Sequence, residues 1–274
     1  MKMEKYAGYQ YIEGGVCAAQ GFTANGLNCG LNPDKAKNDL GMVYSERLCT
    51  AAAVYTTNKV KGAPVLVTKR HLCREAVREA RLTMSDLVAV GMGSPGTCNA
   101  DGVEIAEKIS ELAAQALEIR PEEVIIASTG VIGQPMSPEP FAAHMQELAA
   151  SLSREEHTAA AAVSTEMLQT ALSDIVEITY NCLSIDGDTS TNDMVSIMAN
   201  GAAGNPEITM DGTEYQSFRQ ALYIVMATMT KMLAADGEGA TRLLECSCVG
   251  CPDRQTAVSI AKSVVQSSLV KCLL

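Results

Sequence analysis

Tryptophan is absent from this 274-residue chain, and aromatic residues of all kinds make up only 4% of it. Proteins that bind single-stranded nucleic acid stack bases on such rings, so their scarcity argues against that partner. Positive charge is also in short supply. Against 32 Asp and Glu stand 21 Lys and Arg, a formal net charge of −11, which would repel a phosphate backbone or an anionic membrane surface before contact formed. Long apolar runs are missing too, and none approaches the about 20 residues needed to span a bilayer. The first residues mix Lys, Glu and Tyr without an apolar core, unlike a secretory signal. Histidine occurs only at His71, His144 and His157. None has a partner motif, so each reads as a surface residue rather than a general base.

What the chain does have is a 47% hydrophobic content, enough to bury a real core in one large or two modest domains. Its 10 cysteines are scattered through ordinary apolar segments of a mid-sized chain. That distribution favours free thiols in a reducing compartment over a disulfide framework. The expectation is a soluble cytoplasmic protein that handles small molecules, with no nucleic-acid or membrane partner.

Patterning along the chain predicts mixed helix and strand. Residues 14–55 alternate small, apolar and Gly positions, as in Gly21-Phe22-Thr23-Ala24-Asn25-Gly26 and Leu40-Gly41-Met42-Val43-Tyr44-Ser45, which suits short strands joined by tight turns. A strand at 64–68, a helical pattern over 71–80 and an apolar strand at 87–90 follow. Gly91-Met92-Gly93-Ser94-Pro95-Gly96 then reads as a loop at a strand end. Over 100–117 apolar residues recur near a 3.6-residue period, and the run ends before Pro121, predicting an amphipathic helix. A buried strand at 123–127 and a helix at 138–152 come next. The polar, Ala-rich stretch 153–164 is the expected boundary between domains 1–160 and 161–274.

Beyond that boundary the pattern predicts helix at 166–175, strand at 178–185, a polar turn at 186–193 and helix at 194–200. A long helix at 217–235 carries Met226, Met229 and Met232, read as core filler. A strand at 243–249, a helix at 255–266 and a strand-like ending at 269–274 complete the chain.

Three motifs bear on chemistry. Ser128-Thr129-Gly130-Val131-Ile132-Gly133 lies between an apolar strand and a helix. Its glycines and hydroxyls leave backbone N–H groups free to hold a developing oxyanion, or else it is an ordinary hydroxyl-capped turn. Ser184-Ile185-Asp186-Gly187-Asp188-Thr189-Ser190-Thr191-Asn192-Asp193 is similar in Asp186 and Asp188 to the paired aspartates of haloacid-dehalogenase-like phosphatases. The alternative is a hydroxyl-rich cap on the helix expected to start near Met194. Cys246-Ser247-Cys248-Val249-Gly250-Cys251 offers three thiols, but tetrahedral zinc needs a fourth ligand, and no second Cys-x-x-Cys pair or nearby histidine supplies one. No metal and no cofactor are expected.

The segments Gly21-Phe22-Thr23-Ala24-Asn25-Gly26, Thr56-Thr57-Asn58-Lys59-Val60-Lys61-Gly62-Ala63-Pro64-Val65, Cys98-Asn99-Ala100-Asp101-Gly102, Ala127-Ser128-Thr129-Gly130-Val131-Ile132-Gly133, Asp186-Gly187-Asp188-Thr189-Ser190-Thr191-Asn192-Asp193 and Asp236-Gly237-Glu238-Gly239-Ala240-Thr241 together resemble the bifunctional ornithine acetyltransferase (glutamate N-acetyltransferase) family of arginine biosynthesis. They occur in the family's order and cover most of the chain. The resemblance implies an α/β fold of two domains, with sandwiched sheets flanked by helices. It implies acetyl transfer between N-acetylornithine and glutamate through a threonine acyl-enzyme freed by self-cleavage, in a homo-oligomer or a hetero-oligomer of cleaved chains. By the same resemblance, Thr129 and Gly130 match the oxyanion-stabilising pair and Glu238 the substrate contact. An acidic contact fits a substrate bearing an amino group.

The chain departs from the family pattern at its middle. It passes from Arg154-Glu155-Glu156-His157-Thr158 to Glu166-Met167-Leu168 without the family's Thr-Thr-Asp-Thr, Lys-Gly-Ser-Gly and Met-Ala-Thr-Met-Leu stretches. The nucleophilic threonine belongs to the last of these. Thr165 precedes the matching helix but lacks the flanking residues, and does not take the role. The resemblance also implies a chain shortened after Leu274, without the family's C-terminal substrate-binding tail. Two alternatives to catalysis stand beside the resemblance: a non-catalytic amino-acid-binding remnant, and an aspartate-dependent phosphatase.

Overall fold

A computed structural model describes residues 15–31, 33–36, 38–47, 49–55, 83–84, 88–93, 101–129, 136–153, 161–187, 194–237 and 240–273. The chain falls into two compact units, Met1–Thr170 with Ser190–Met210 and Ala171–Thr189 with Asp211–Leu274. The fold is α/β.

The strands of the first unit are β1 (Phe22–Leu27), β2 (Leu40–Ser45), β3 (Cys49–Tyr55), β4 (Thr83–Met84), β5 (Val88–Gly93), β6 (Val124–Thr129) and β7 (Met194–Ala199). One sheet has the order β1-β2-β5-β6 and a second the order β4-β3-β7. β1 pairs antiparallel with β2, Phe22 opposite Ser45, and β2 antiparallel with β5. β5 and β6 run parallel, from Val88 opposite Val124 to Gly93 opposite Thr129. A parallel pair needs a crossover, and helix α1 (Gly102–Leu117) lies in that connection.

The core of this unit follows from two periodicities. Ile105, Ile109 and Ala113 stand four residues apart along α1, on one helical face. Val124 and Ile126 of β6, two residues apart, share one sheet face. They form one buried cluster with Leu40 and Met42 of β2 and with Phe141, Met145 and Leu148 of helix α2 (Glu139–Ala150). Burying each large apolar side chain contributes about 1.5–3 kcal/mol. The end of α2 is tied to the sheet by a bridge in which Ser153 and Ala24 exchange backbone hydrogen bonds of 3.2 Å.

Helix α3 (Thr165–Ile178) runs through the division between the units, with Leu168, Leu172 and Ile175 buried. Within the second unit follow α4 (Thr213–Ala235), α5 (Arg254–Val265) and α6 (Ser268–Leu273). Arg219 of α4 reaches Asp174 Oδ2 at 2.6 Å and lies 5.6 Å over the Tyr215 ring. Asp253 starts α5 by accepting the Thr256 backbone N–H at 2.8 Å.

Several expected elements are found differently. Residues 194–200, expected as helix, contain β7, because Met194–Ala199 pairs along its whole length with β3. That pairing returns Ser190–Met210 to the first unit, so the division differs from the one expected at residue 160. Residues 178–185, expected as strand, instead hold the end of α3 and a 3-10 turn at Tyr180–Cys182, with Thr179 Oγ1 donating to Ile175 O at 2.6 Å. The segment 243–249, expected as strand, has no regular structure. The strand-like ending is helix α6, which begins as Val270 N–H donates to Ser267 Oγ at 3.4 Å. Met226 is buried, but Met229 and Met232 are exposed. Each three-residue step falls about 60° short of a full turn and swings the later methionines off the buried face. The strand expected at 64–68 and the helix at 71–80 lie outside the described residues.

Candidate active site

The carboxyl ends of parallel strands are where α/β sheets present their functional loops, because each loop turns back there to enter the next helix. In this chain β5 and β6 end in register, Met92 beside Ser128 and Gly93 beside Thr129. The Gly91–Gly93 part of one glycine-rich segment, expected as loop, and the Ser128–Thr129 start of the other are therefore strand residues, paired side by side at the ends of β5 and β6. The sequence alone does not place them together.

β6 is fixed at its other end by a local device. α1 stops at Glu118, whose φ of 58° is left-handed and whose N–H donates to Ala114 O. Arg120, preceding Pro121, is extended, as steric contact with the proline ring requires. Glu123 then folds back: its Oε2 accepts the Arg120 backbone N–H at 2.9 Å and its Oε1 the Arg120 guanidinium at 2.9 Å. Glu123 is buried, at 4% exposure, while the Arg120 side chain reaches solvent. A buried carboxylate needs this pairing, and the pairing holds the first residue of β6 in place.

Of the residues that sequence pattern or resemblance points to, Thr129 is placed by its backbone as the last residue of β6. Gly130 and Glu238 lie outside the described residues. Near Glu238, Asp236 closes α4 by donating its N–H to Met232 O at 3.0 Å, and Ala240 N–H donates to Gly237 O at 2.8 Å. Thr129 belongs to the first unit. Thr165 is the first residue of α3.

The phosphatase-like segment is described only in part. Asp186 is exposed, between Ile185 and a left-handed Gly187 with φ 94°, and Asp188 lies outside the described residues. Ile185 O accepts from Lys271 Nζ at 2.5 Å. His144 Nδ1 lies 2.8 Å from Pro140 O, one turn earlier in α2, so the ring is engaged by its own helix. His71 and His157 lie outside the described residues. Cys29 is buried, its backbone N–H donating to Asp39 Oδ1 at 2.7 Å. Burial and the neighbouring Asp39 push its thiol up to about 12, which keeps it protonated and unreactive. Among the described residues, no group of three or more His, Cys, Asp and Glu is arranged to hold a metal ion.

A family model described as the ArgJ family matches residues 23–166 and 157–274. The protein named arginine biosynthesis bifunctional protein ArgJ of Staphylococcus epidermidis is 35% identical, covering 95% of this chain and 76% of that one. Its namesake in Streptococcus mutans is 36% identical over the same shares. A solved ornithine acetyltransferase of Mycobacterium tuberculosis, complexed with ornithine, is 22% identical with a TM-score of 0.42, covering 70% of this chain and 93% of that one. The alignment with the Staphylococcus protein runs over 309 positions, whereas 95% of 274 residues is only about 260. Roughly 50 residues of the relative within the aligned span therefore have no counterpart here. Matches at this identity, over nearly the whole sequence, leave one conclusion: the chain belongs to the ArgJ family.

Proposed function

We propose that this chain acts in arginine biosynthesis on the acetyl group shared between N-acetylornithine and glutamate. Thr129 and Gly130 form the oxyanion turn, and Glu238 contacts the substrate's amino group. The observation that carries this reading is the family match across 95% of the chain, which includes the strand delivering Thr129. Backbone N–H groups at such a turn stabilise the negative oxygen of a tetrahedral intermediate by hydrogen bonds that are strongest as the charge develops. A carboxylate at position 238 offers a charge-assisted hydrogen bond to an ammonium group. No metal or cofactor is required for that chemistry.

A second reading is favoured by a separate observation. The family matches overlap at residues 157–166, where the chain runs from Thr158 to Glu166 without the stretch that bears the family's attacking threonine. An oxyanion turn with no nucleophile in front of it binds without turning over. On this reading the chain is a non-catalytic amino-acid-binding member of its family, and it stays in one piece.

Acetyl transfer from N-acetylornithine to glutamate, followed with labelled acetyl groups beside calorimetric titration with ornithine, separates the two. Turnover supports the enzyme. Ornithine binding without turnover, in a chain that mass spectrometry finds intact, supports the binding protein. Neither turnover nor binding sinks both readings, and magnesium-dependent phosphate release abolished by Asp186→Asn would replace them with the phosphatase.

A further inference from the structure

The sequence 246–251 holds three cysteines in six residues, and zinc is a poor account of them because no fourth ligand is near. The structure gives them a different relation. Cys248 Sγ and Cys251 Sγ lie 3.4 Å apart, joined by a hydrogen bond. Gly250 makes that approach possible: its φ of 78° is left-handed, a conformation that costs glycine little and other residues more, and it folds the chain back between the two thiols. Cys248 and Cys251 are both half-buried, while Val249 between them is 90% exposed.

The segment has no regular structure, yet it is anchored at both ends. Upstream, both Glu245 carboxylate oxygens accept from Lys231 Nζ at 2.8 Å. Downstream, Asp253 caps α5 through the Thr256 N–H and hydroxyl, at 2.8 and 3.0 Å. Arg254 reaches Glu177 O at 3.3 Å. The two thiols are therefore held close by the surrounding fold rather than meeting by chance. A disulfide bond spans about 2 Å, so joining these sulfurs needs only a small further approach within one turn.

We propose that Cys248 and Cys251 form a dithiol site that exchanges with low-molecular-weight disulfides and closes to an intramolecular disulfide. The hydrogen bond shared by the two sulfurs raises the Cys248 thiol above its ordinary value. One sulfur of the pair, as thiolate, attacks one sulfur of the incoming disulfide. A mixed disulfide forms, and the other half leaves as thiolate and takes up the proton that the attacking cysteine released. The second cysteine then gives its proton to solvent and attacks the protein sulfur of the mixed disulfide, expelling the second small thiolate, which is protonated in turn. Two protein thiols are oxidised by two electrons to one disulfide, and one small disulfide is reduced to two thiols.

This inference is independent of the acetyl-transfer reading. The test uses the whole chain, equilibrated in glutathione and glutathione disulfide at graded ratios, alkylated with N-ethylmaleimide and cut with trypsin. Arg242 and Arg254 bound a tryptic peptide that contains Cys246, Cys248 and Cys251. In oxidising buffer that peptide should carry a single alkyl group, on Cys246, and be lighter by the two hydrogens lost to the crosslink. In reducing buffer it should carry three. Cys246→Ser should keep the crosslink, whereas Cys248→Ser and Cys251→Ser should each lose it. Each of these two variants should instead accumulate a glutathione adduct on the remaining member of the pair. Protection of Cys29 from alkylation in each variant certifies that the fold is intact. Full alkylation of all three cysteines at every ratio, or a crosslink that survives Cys248→Ser or Cys251→Ser, overturns the proposal.

Discussion

The helices of the first unit and the last helices of the second are built on different terms. α1 and α2 bury whole faces: Ile109, Phe141 and Leu148 are fully enclosed, each at 0% exposure. Neither α5 nor α6 contains a buried residue, and Leu269 and Leu273 of α6 are more than four-fifths exposed. The same contrast appears in how carboxylates are used. Glu123 accepts a backbone N–H while buried just before β6, and Asp253 accepts one while exposed. Periodicity predicts α1, α2 and α5 alike as helices, but the packing partners decide where stability resides.

Four substitutions sharpen that comparison. The largest effect is expected from Phe141→Ala, which leaves a cavity in the α1–α2–sheet cluster and should cost about 3–5 kcal/mol. Leu269→Ala should stay within about 0.5 kcal/mol, as a surface change does. Urea denaturation of the two variants against the parent chain measures the gap, and equal losses would erase the distinction. Next comes Glu123→Ala, which strips the Arg120 N–H of its partner at the start of β6 and should cost about 1–3 kcal/mol by the same measurement. The smallest effect concerns Asp253. Its carboxyl lies below the ordinary value because Thr256 donates to it through backbone and hydroxyl. The capped form is therefore fully favoured above the unfolded-chain value of about 3.9. That advantage disappears as pH falls through the lowered value in the folded chain. Helix content followed by circular dichroism in acid should fall with less pH dependence in Asp253→Asn than in the parent; identical curves would show that the cap carries no weight.

The elements that were legible in the sequence are those whose period is local and strong. α1, α2, α4 and α5 are found within a few residues of their expected spans, and β6 is found where the apolar run between Glu123 and Ser128 puts it. β7 was illegible because Met194-Val195-Ser196-Ile197-Met198-Ala199 becomes a strand by pairing with Cys49–Tyr55, far away in sequence. Tertiary pairing overrides local propensity there. The strand pattern of 243–249 fails in the opposite sense: its alternation is genuine, but no strand pairs with it among the described residues. α6 was illegible because its apolar run at 269–274 reads as a strand, whereas Ser268–Leu273 is helical. As for the candidate site, the strand that carries Ser128 and Thr129 was legible from its apolar run. The parallel partner beside it was not, because alignment of Gly93 with Thr129 depends on a crossover that no short motif encodes. The close approach of Cys248 to Cys251 was half legible, in spacing but not in distance.

The in-register ending of β5 and β6 also acts as a ruler. Side chains alternate along a strand, so a slip of β6 by one residue would turn Val124 and Ile126, now 1% and 4% exposed, away from the core. At about 1.5–3 kcal/mol for each side chain expelled, the slipped ladder is a minor species. The position of Thr129 is thus measured out from the far end of its strand, by two aliphatic side chains of the buried core.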